Sequence, residues 1–158
     1  PGTAPQTLHA VWPAVANGAT AIVLRPETLA KDDAPAGGLP LDNKGTIKNI
    51  YGWLYLKDEW AKSHPIFDGL PTGLMDYAYY REIIPDTVFC GQSALRDAVA
   101  GANKTSQGYD SGLLVAIHQY GQGQIVLNSL RIADQLGKHP AAERLLRNML
   151  RYAAFHKE

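Results

Sequence analysis

The chain has 158 residues, 15 basic and 15 acidic side chains, and one cysteine. This length predicts a single domain over residues 1–158, and apolar and charged fractions of 46% and 19% exclude a disordered or fibrous protein. Zero net charge without a basic block argues against a nucleic-acid partner, and no apolar run approaches the length of a membrane span. One cysteine excludes an internal disulfide but does not fix the compartment.

The amino-terminal segment predicts a helix followed by a buried strand. Apolar residues recur at helical spacing at Leu8, Val11, Trp12 and Val15. Pro13 kinks this helix or delays its start, and Gly18 suits its end. The apolar run over residues 20–25, ended by Pro26, predicts the strand. Because helix and strand make half of an α/β unit and no strand precedes the helix, we expect the chain to be a piece of a longer protein.

The middle of the chain holds a long segment rich in proline and glycine and most of the aromatic residues. Residues 31–45 predict a mobile loop. Between residues 51 and 80 lie 8 of the 14 aromatic residues. The sequence leaves open whether these rings fill the core, stack on sugar rings or form a partner interface. The candidate ligand or interface residues are Trp53, Tyr55, Asp58, Trp60, Tyr79 and Tyr80.

Short elements are predicted after this aromatic segment. Residues 79–84 and 87–90 each have a strand-like composition, with a Pro-Asp pair between them. Ser93 could cap one or two helical turns within residues 93–100.

The carboxyl-terminal third predicts a hairpin and a helix. Glycines at 121 and 123 connect two β-rich runs, over 113–120 and 124–130, so at least one antiparallel pair is expected. Pro140 suits the first position of the last helix. The apolar stripe of this helix is Leu145, Leu146, Met149, Leu150 and Ala153.

A cysteine hydrolase is the main catalytic hypothesis to weigh. Cys90 is followed by glycine, but Val88 stands where a strained nucleophile elbow needs a small residue. His139 and Glu143 could serve as base and carboxylate, yet both are explained as neighbours of a helix start. The sequence therefore favours a buried, inert thiol and no catalytic residue.

Other chemistries have less support. The histidines lack metal-ligand spacing, and the glycines of the hairpin do not open a helix that could cradle phosphate, so we predict no metal and no cofactor. Asp58 and Glu59 are adjacent, and neighbouring side chains on a strand point to opposite faces, so they do not by themselves form the carboxylate pair of a glycosidase. A solvated pair on a surface turn is the favoured interpretation.

Two segments carry a resemblance to a known family. Residues 120–130 (YGQGQIVLNSL) and 139–152 (HPAAERLLRNMLRY) resemble the closing segment of class I glutamine amidotransferase-like, flavodoxin-like domains. Such domains occur as accessory modules of large glycoside hydrolases, including family 2 enzymes of the β-galactosidase and β-glucuronidase kind. Residues 11–24 and 64–71 look like the same module. The resemblance implies a three-layer α/β sandwich with a mostly parallel sheet and an antiparallel hairpin near the carboxyl terminus.

The favoured function is a non-catalytic accessory domain of a carbohydrate-active enzyme. The resemblance implies partners in other domains of the same polypeptide, with carbohydrate or a second copy of the chain as further partners and catalysis in a separate domain. Active members of the family have a glycine-flanked cysteine and a late His-x-Glu, whereas here Glu143 is four residues after His139. A cysteine hydrolase using Cys90 and a free-standing sugar-binding module using Trp53, Tyr55 and Trp60 stay open as alternatives.

Overall fold

A computed structural model describes residues 5–51, 57–105 and 108–155. Within these ranges the helices are α1 (Pro5–Ala16), α2 (Tyr77–Tyr80), α3 (Ile132–Gln135) and α4 (Pro140–Phe155), and short 3-10 turns cover Pro26–Leu29 and Pro65–Phe67. The strands are β1 (Thr20–Val23), β2 (Thr46–Asn49), β3 (Asp58–Ala61), β4 (Gly73–Leu74), β5 (Thr87–Cys90), β6 (Leu95–Lys104), β7 (Asp110–Tyr120) and β8 (Gly123–Asn128).

The strands described form one mixed sheet in which antiparallel pairing dominates. The main path runs β1-β8-β7-β6-β3-β4, while β5 pairs with both β7 and β2. Among the described strands only β1 and β8 are parallel, with Thr20 opposite Gln124 and Val23 opposite Leu127. The predicted mostly parallel, three-layer flavodoxin-like sandwich is therefore wrong. The prediction came from a resemblance of short segments to a parallel-sheet family, whereas consecutive strands in the second half of this chain turn back on their neighbours.

The centre of the sheet is the meander of β6, β7 and β8. The predicted hairpin is confirmed: β7 ends at Tyr120, β8 begins at Gly123, and Gly121 takes a positive φ of 59° between them. Gly121 also packs against α1, since a Cβ there would lie 2.5 Å from the carbonyl oxygen of Ala16. The β7–β8 turn and the carboxyl end of α1 therefore pack closely against each other.

Two predicted elements between β4 and β7 are wrong. Residues 79–84 are not a strand, because Asp76 caps the short helix α2 by accepting a hydrogen bond from the backbone amide of Ala78 at 2.7 Å. Residues 93–100 are not helical: Ser93 leads into β6, a ten-residue strand that pairs with β7 through several register shifts. Its small residues, Ala98, Ala100, Gly101 and Ala102, weaken the strand pattern in the sequence.

Hydrophobic clusters cover both faces of the sheet. On one face, called face A, α1 and the segment after β1 bury Trp12, Val15 and Leu39 against Ile125 and Leu127. On the other, face B, side chains of α4 pack against the sheet residues Val115, Ile117 and Val126. The predicted amino-terminal and carboxyl-terminal helices are confirmed by α1 and α4, and Leu145 and Met149 of α4 are fully buried. Leu150, by contrast, is 56% exposed, so the buried stripe is narrower than predicted.

The segment between β1 and β2 is a loop, as predicted, but it is well anchored. The indole nitrogen of Trp12 donates to the carbonyl of Gly38 at 3.1 Å, and Leu29, Leu39 and Leu41 are buried. A tight turn at Asp32 and Asp33, both with positive φ, folds the loop back on itself.

Candidate functional site

The predicted site residues do not converge on one place. Trp53 and Tyr55 lie outside the described residues. Tyr80 is buried, its hydroxyl donates to the carbonyl of Pro71 at 2.5 Å, and burial raises its pKa to about 12. Tyr79, its neighbour on α2, is 52% exposed. Tyr80 is thus a core residue, and Tyr79 is the one of this pair that is accessible to a partner.

Asp58 and Trp60 share one face of β3 because they are two residues apart on the strand. Glu59 points the other way, as alternation along a strand requires, and is only 3% exposed, so the interpretation of Asp58 and Glu59 as a solvated pair on a turn is wrong. In the sheet, Asp58 lies opposite Asn103 and Trp60 lies opposite Gly101 of β6. The structure therefore places Trp60 beside Asn103 on face A.

The indole of Trp60 lies directly over the backbone of Gly101. A Cβ at Gly101 would stand 2.6 Å from Cζ2 and 2.8 Å from Cε2 of the ring, so only glycine leaves room for it. The half-buried indole forms one wall of a cavity of about 370 Å³, here called the Trp60 groove. Its other lining residues are Phe89, Cys90, Gly91, Gln92, Leu95, Asn103, Ser111, Gly112, Leu113 and His118.

Neutral polar groups surround the apolar floor of the Trp60 groove. The side-chain amide nitrogen of Gln92 donates to the carbonyls of Lys44 (3.0 Å) and Thr46 (3.1 Å), which fixes the carboxamide and leaves its oxygen as an acceptor. Asn103 and Ser111 contribute an amide and a hydroxyl, and Leu95, which is 49% exposed, forms an apolar rim. Such a lining can hold a neutral ligand that has both apolar and hydrogen-bonding surfaces.

His118 is a groove residue that sequence reasoning missed. Its Nδ1 lies 2.9 Å from the carbonyl of Ser93, so Nδ1 carries the proton and Nε2 is an acceptor. Nε2 has no hydrogen-bond partner among the described residues, and burial lowers the pKa of the imidazole. No sequence motif indicates this histidine. It becomes a groove residue only because residues 93–95 lie alongside β7, where Leu95 is opposite His118 and the carbonyl of Ser93 contacts its ring.

Cys90 has the surroundings of a structural thiol. Its sulfur donates to the carbonyl of Ser111 at 3.2 Å and sits over Gly112, where a Cβ would lie 2.8 Å from it. Burial raises the pKa of the thiol, and the nearby ammonium of Lys48 offsets this only in part. A raised pKa keeps the sulfur protonated at neutral pH, which is the opposite of what a nucleophile requires.

His139 and Glu143 both stabilise the start of α4. Nδ1 of His139 accepts a hydrogen bond from the backbone amide of Ala141 at 3.2 Å, and a carboxylate oxygen of Glu143 accepts one from Gly137 at 3.2 Å. The described contacts of Cys90 involve neither residue. The helix-start interpretation of these two side chains therefore explains their positions.

Glu59, on face B, belongs to a buried cluster of charges. The Lys57 ammonium lies 3.3 Å from Glu59, 3.0 Å from Asp86 and 2.7 Å from the carbonyl of Pro85. Burial raises the pKa of Glu59, and Lys57 partly opposes that shift. The cluster joins β3 to the start of β5 and has a structural role.

Comparison with protein families and with curated proteins identifies no relative. A scan against protein-family models finds no match, and a search of curated proteins finds no significantly similar sequence. The resemblance to amidotransferase-like accessory domains thus stays a prediction. None of the helices in the described ranges has the length and apolar character needed to cross a membrane, and those ranges contain no cluster of three or more His, Cys, Asp or Glu side chains suited to a metal ion.

Proposed function

We propose that this chain is a non-catalytic accessory domain of a carbohydrate-active enzyme and that it contacts sugar at the Trp60 groove. The observation that carries the sugar contact is the half-buried indole of Trp60, held over Gly101 beside the amides of Gln92 and Asn103. The C–H face of a pyranose ring is apolar and stacks on a flat π surface, while its hydroxyls need neutral donors and acceptors.

The lining of the groove supports binding in preference to hydrolysis. Cleavage of a glycosidic bond in most glycosidases uses two carboxylates on either side of the bond. Among the described residues that line the Trp60 groove there is neither aspartate nor glutamate. Asp58 is exposed and is not among the residues that line the groove, and Glu59 faces the opposite side of the sheet, paired with Lys57. In this proposal catalysis belongs to another domain of the parent polypeptide.

The proposal includes contacts with other domains of the parent polypeptide or with a second copy of the chain. It is supported by exposed apolar side chains near the short strand β4: Leu74 is 74% exposed, Tyr77 48% and Tyr79 52%. Sedimentation velocity of the chain alone tests whether it binds a second copy of itself. A concentration-dependent dimer that Tyr79→Ser abolishes would support self-association, and a monomer at all concentrations would contradict it.

The test of the sugar contact is calorimetric titration with a panel of β-linked and α-linked oligosaccharides. We expect binding by the wild type and a loss of at least about tenfold in affinity for Trp60→Ala, in line with the worth of one well-stacked aromatic ring. Phe155→Ala is the matched control, because Phe155 is 78% exposed on α4 and lines no part of the groove.

Two outcomes would contradict the sugar contact. One is the absence of measurable heat with every oligosaccharide while the wild type is folded. The other is equal loss of affinity in Trp60→Ala and Phe155→Ala. Rapid alkylation of Cys90 at neutral pH would instead support the cysteine hydrolase, since only a thiolate reacts quickly.

A further inference from the structure

A second cavity lies where two pairs of strands meet end to end. The long strand β7 has β6 along one edge, so β8 and β5 share its other edge. Asn128, the last residue of β8, lies opposite Val115, and Phe89 of β5 lies opposite Leu113. The β1–β8 pair thus stops where the β2–β5 pair begins, and the chain leaves both β1 and β8 at this junction because these strands are parallel.

The cavity at the junction has a volume of about 610 Å³, within the range of small-molecule sites. We call it the strand-end crevice. Its apolar lining includes Leu24, Ile47 and Leu130. Its charged lining consists of Arg25, Glu27, Asp33, Asp86, Arg131 and Asp134.

Several charged groups of the crevice are held in place by partners in the fold. The Arg25 guanidinium contacts Asp134 at 2.6 Å and Glu27 at 3.4 Å. Asp86 is held at 3.0 Å by the ammonium of Lys57. The backbone amide of Arg131 donates to the carbonyl of Ile83 at 2.8 Å, and its guanidinium forms no salt bridge within the described part of the chain. The side chains of Arg25, Glu27 and Asp134 are 45%, 66% and 52% exposed, so they stay accessible to a ligand.

Asn128 ties the two strand ends together beside the crevice. Its amide nitrogen donates to the carbonyl of Leu24 at 3.3 Å and to that of Leu130 at 2.9 Å, and the residue is fully buried. Its amide oxygen has no hydrogen-bond partner among the described residues. Asn128 itself does not line the crevice, so its role there is to hold the lining residues Leu24 and Leu130 next to each other.

We propose that the strand-end crevice binds a sugar of monosaccharide size through carboxylates that accept from its hydroxyls and guanidinium groups that donate to them. A hydroxyl is both donor and acceptor, which suits a lining of two arginines and four carboxylates. A simple anion would face these carboxylates, and a divalent cation would need clustered oxygen ligands, of which the described residues contain no suitable group. This proposal concerns a site separate from the Trp60 groove and does not depend on it.

Backbone amide shifts in a nitrogen-15 NMR titration of the whole chain test the crevice. The probes are D-glucose, D-galactose and D-glucuronate, with inorganic phosphate as the comparison anion. We expect at least one sugar to shift the amides of Arg25, Thr87, Ser129 and Arg131. Arg131→Ala should lower the affinity for that sugar about tenfold, which is the effect of losing one charge-assisted hydrogen bond. Arg147→Ala is the control, because Arg147 is exposed on α4 and outside the crevice.

The outcomes separate this site from the Trp60 groove. Crevice shifts that persist in Trp60→Ala support the crevice even if the groove binds nothing. Shifts confined to residues around Trp60 would overturn the crevice and leave the proposed function standing. Phosphate shifts as large as those from any sugar would overturn it in favour of an anion site, and so would the absence of shifts at the junction with all three sugars. The wild-type titration decides the matter even if Arg131→Ala fails to fold.

Discussion

Removing the Lys57 ammonium should destabilise the protein strongly and in a pH-dependent way. The side chains of Lys57 and Glu59 are 9% and 2% exposed, so the pair is buried. Lys57→Met keeps the apolar stem but leaves the Glu59 carboxylate without its cation. Breaking a buried ion pair from one side costs about 3–5 kcal/mol, because an uncompensated charge stays in a low-dielectric environment. For a chain of this size that corresponds to a fall of about 6–20 °C in melting temperature.

The pH dependence follows from the pKa of Glu59. Burial raises this pKa above its ordinary value of 4.5, and Lys57 opposes the shift, so Lys57→Met raises the folded-state pKa further. A carboxyl whose folded pKa is raised contributes stability below its unfolded pKa, and this contribution is lost as pH rises through the folded value. The deficit of Lys57→Met relative to the wild type should therefore be largest near pH 7 and shrink as pH falls toward 4.5.

Urea unfolding from pH 4.5 to 8 measures both effects. Lys57→Met with Glu59→Gln should recover most of the stability at pH 7, since the double variant has no buried carboxylate. Lys62→Met is the matched control: Lys62 pairs with Asp97 at the surface, with a side chain that is 42% exposed, and should lose less than about 1 kcal/mol. The reasoning would be refuted if Lys57→Met lost no more unfolding free energy than Lys62→Met, or if its loss were constant across this pH range.

Three further predictions concern the core, the hairpin and the thiol. Leu145→Ala should lower the free energy of unfolding in urea by about 2–5 kcal/mol, because Leu145 is fully buried. Leu150→Ala should lower it by well under about 1 kcal/mol, because Leu150 is 56% exposed. Equal losses in the two variants would contradict the burial of the α4 stripe. Gly121→Ala should cost at least about 1 kcal/mol, since a Cβ there would lie 2.5 Å from the Ala16 carbonyl oxygen and the φ is positive, and unchanged stability would contradict that contact. Cys90 should react slowly with iodoacetamide at pH 7 and faster as pH rises, because burial raises its pKa; a rate already at its plateau at pH 7 would contradict the raised pKa.

The local elements with strong patterns could be predicted from the sequence. The amphipathic repeat around Trp12, the glycines at 121 and 123 and the proline at 140 each have a local physical meaning, and the structure confirms the elements that they predict. The ten-residue strand β6 could not be predicted, because its alanines and Gly101 have low strand propensity and are held there by pairing with β7. The sheet topology could not be predicted either, because the strand order depends on pairings between segments that are distant in the sequence.

The site shows the same division between local and distant information. Trp60 could be proposed from its place in an aromatic-rich segment, but strand β3 and the position of Trp60 over Gly101 depend on the pairing of two segments about 40 residues apart. His118 and Asn128 became visible only in the structure, because their surroundings come from Ser93 and Leu24, far along the chain. Tyr80 illustrates the converse error: a tyrosine in an aromatic-rich segment is not thereby accessible.

The parallel pairing of β1 with β8 has a consequence for how the protein is made. Thr20 and Gln124 are hydrogen-bonded across a separation of 104 residues, so β1 lacks its partner until most of the chain has been synthesised. The meander of β6, β7 and β8, by contrast, closes through short connections and can assemble early. During translation α1 emerges before the meander, so Ile125 and Leu127, the sheet residues that cover Trp12 and Val15, are not yet present, and the apolar surface left open in this interval is accessible to chaperones and prone to aggregation.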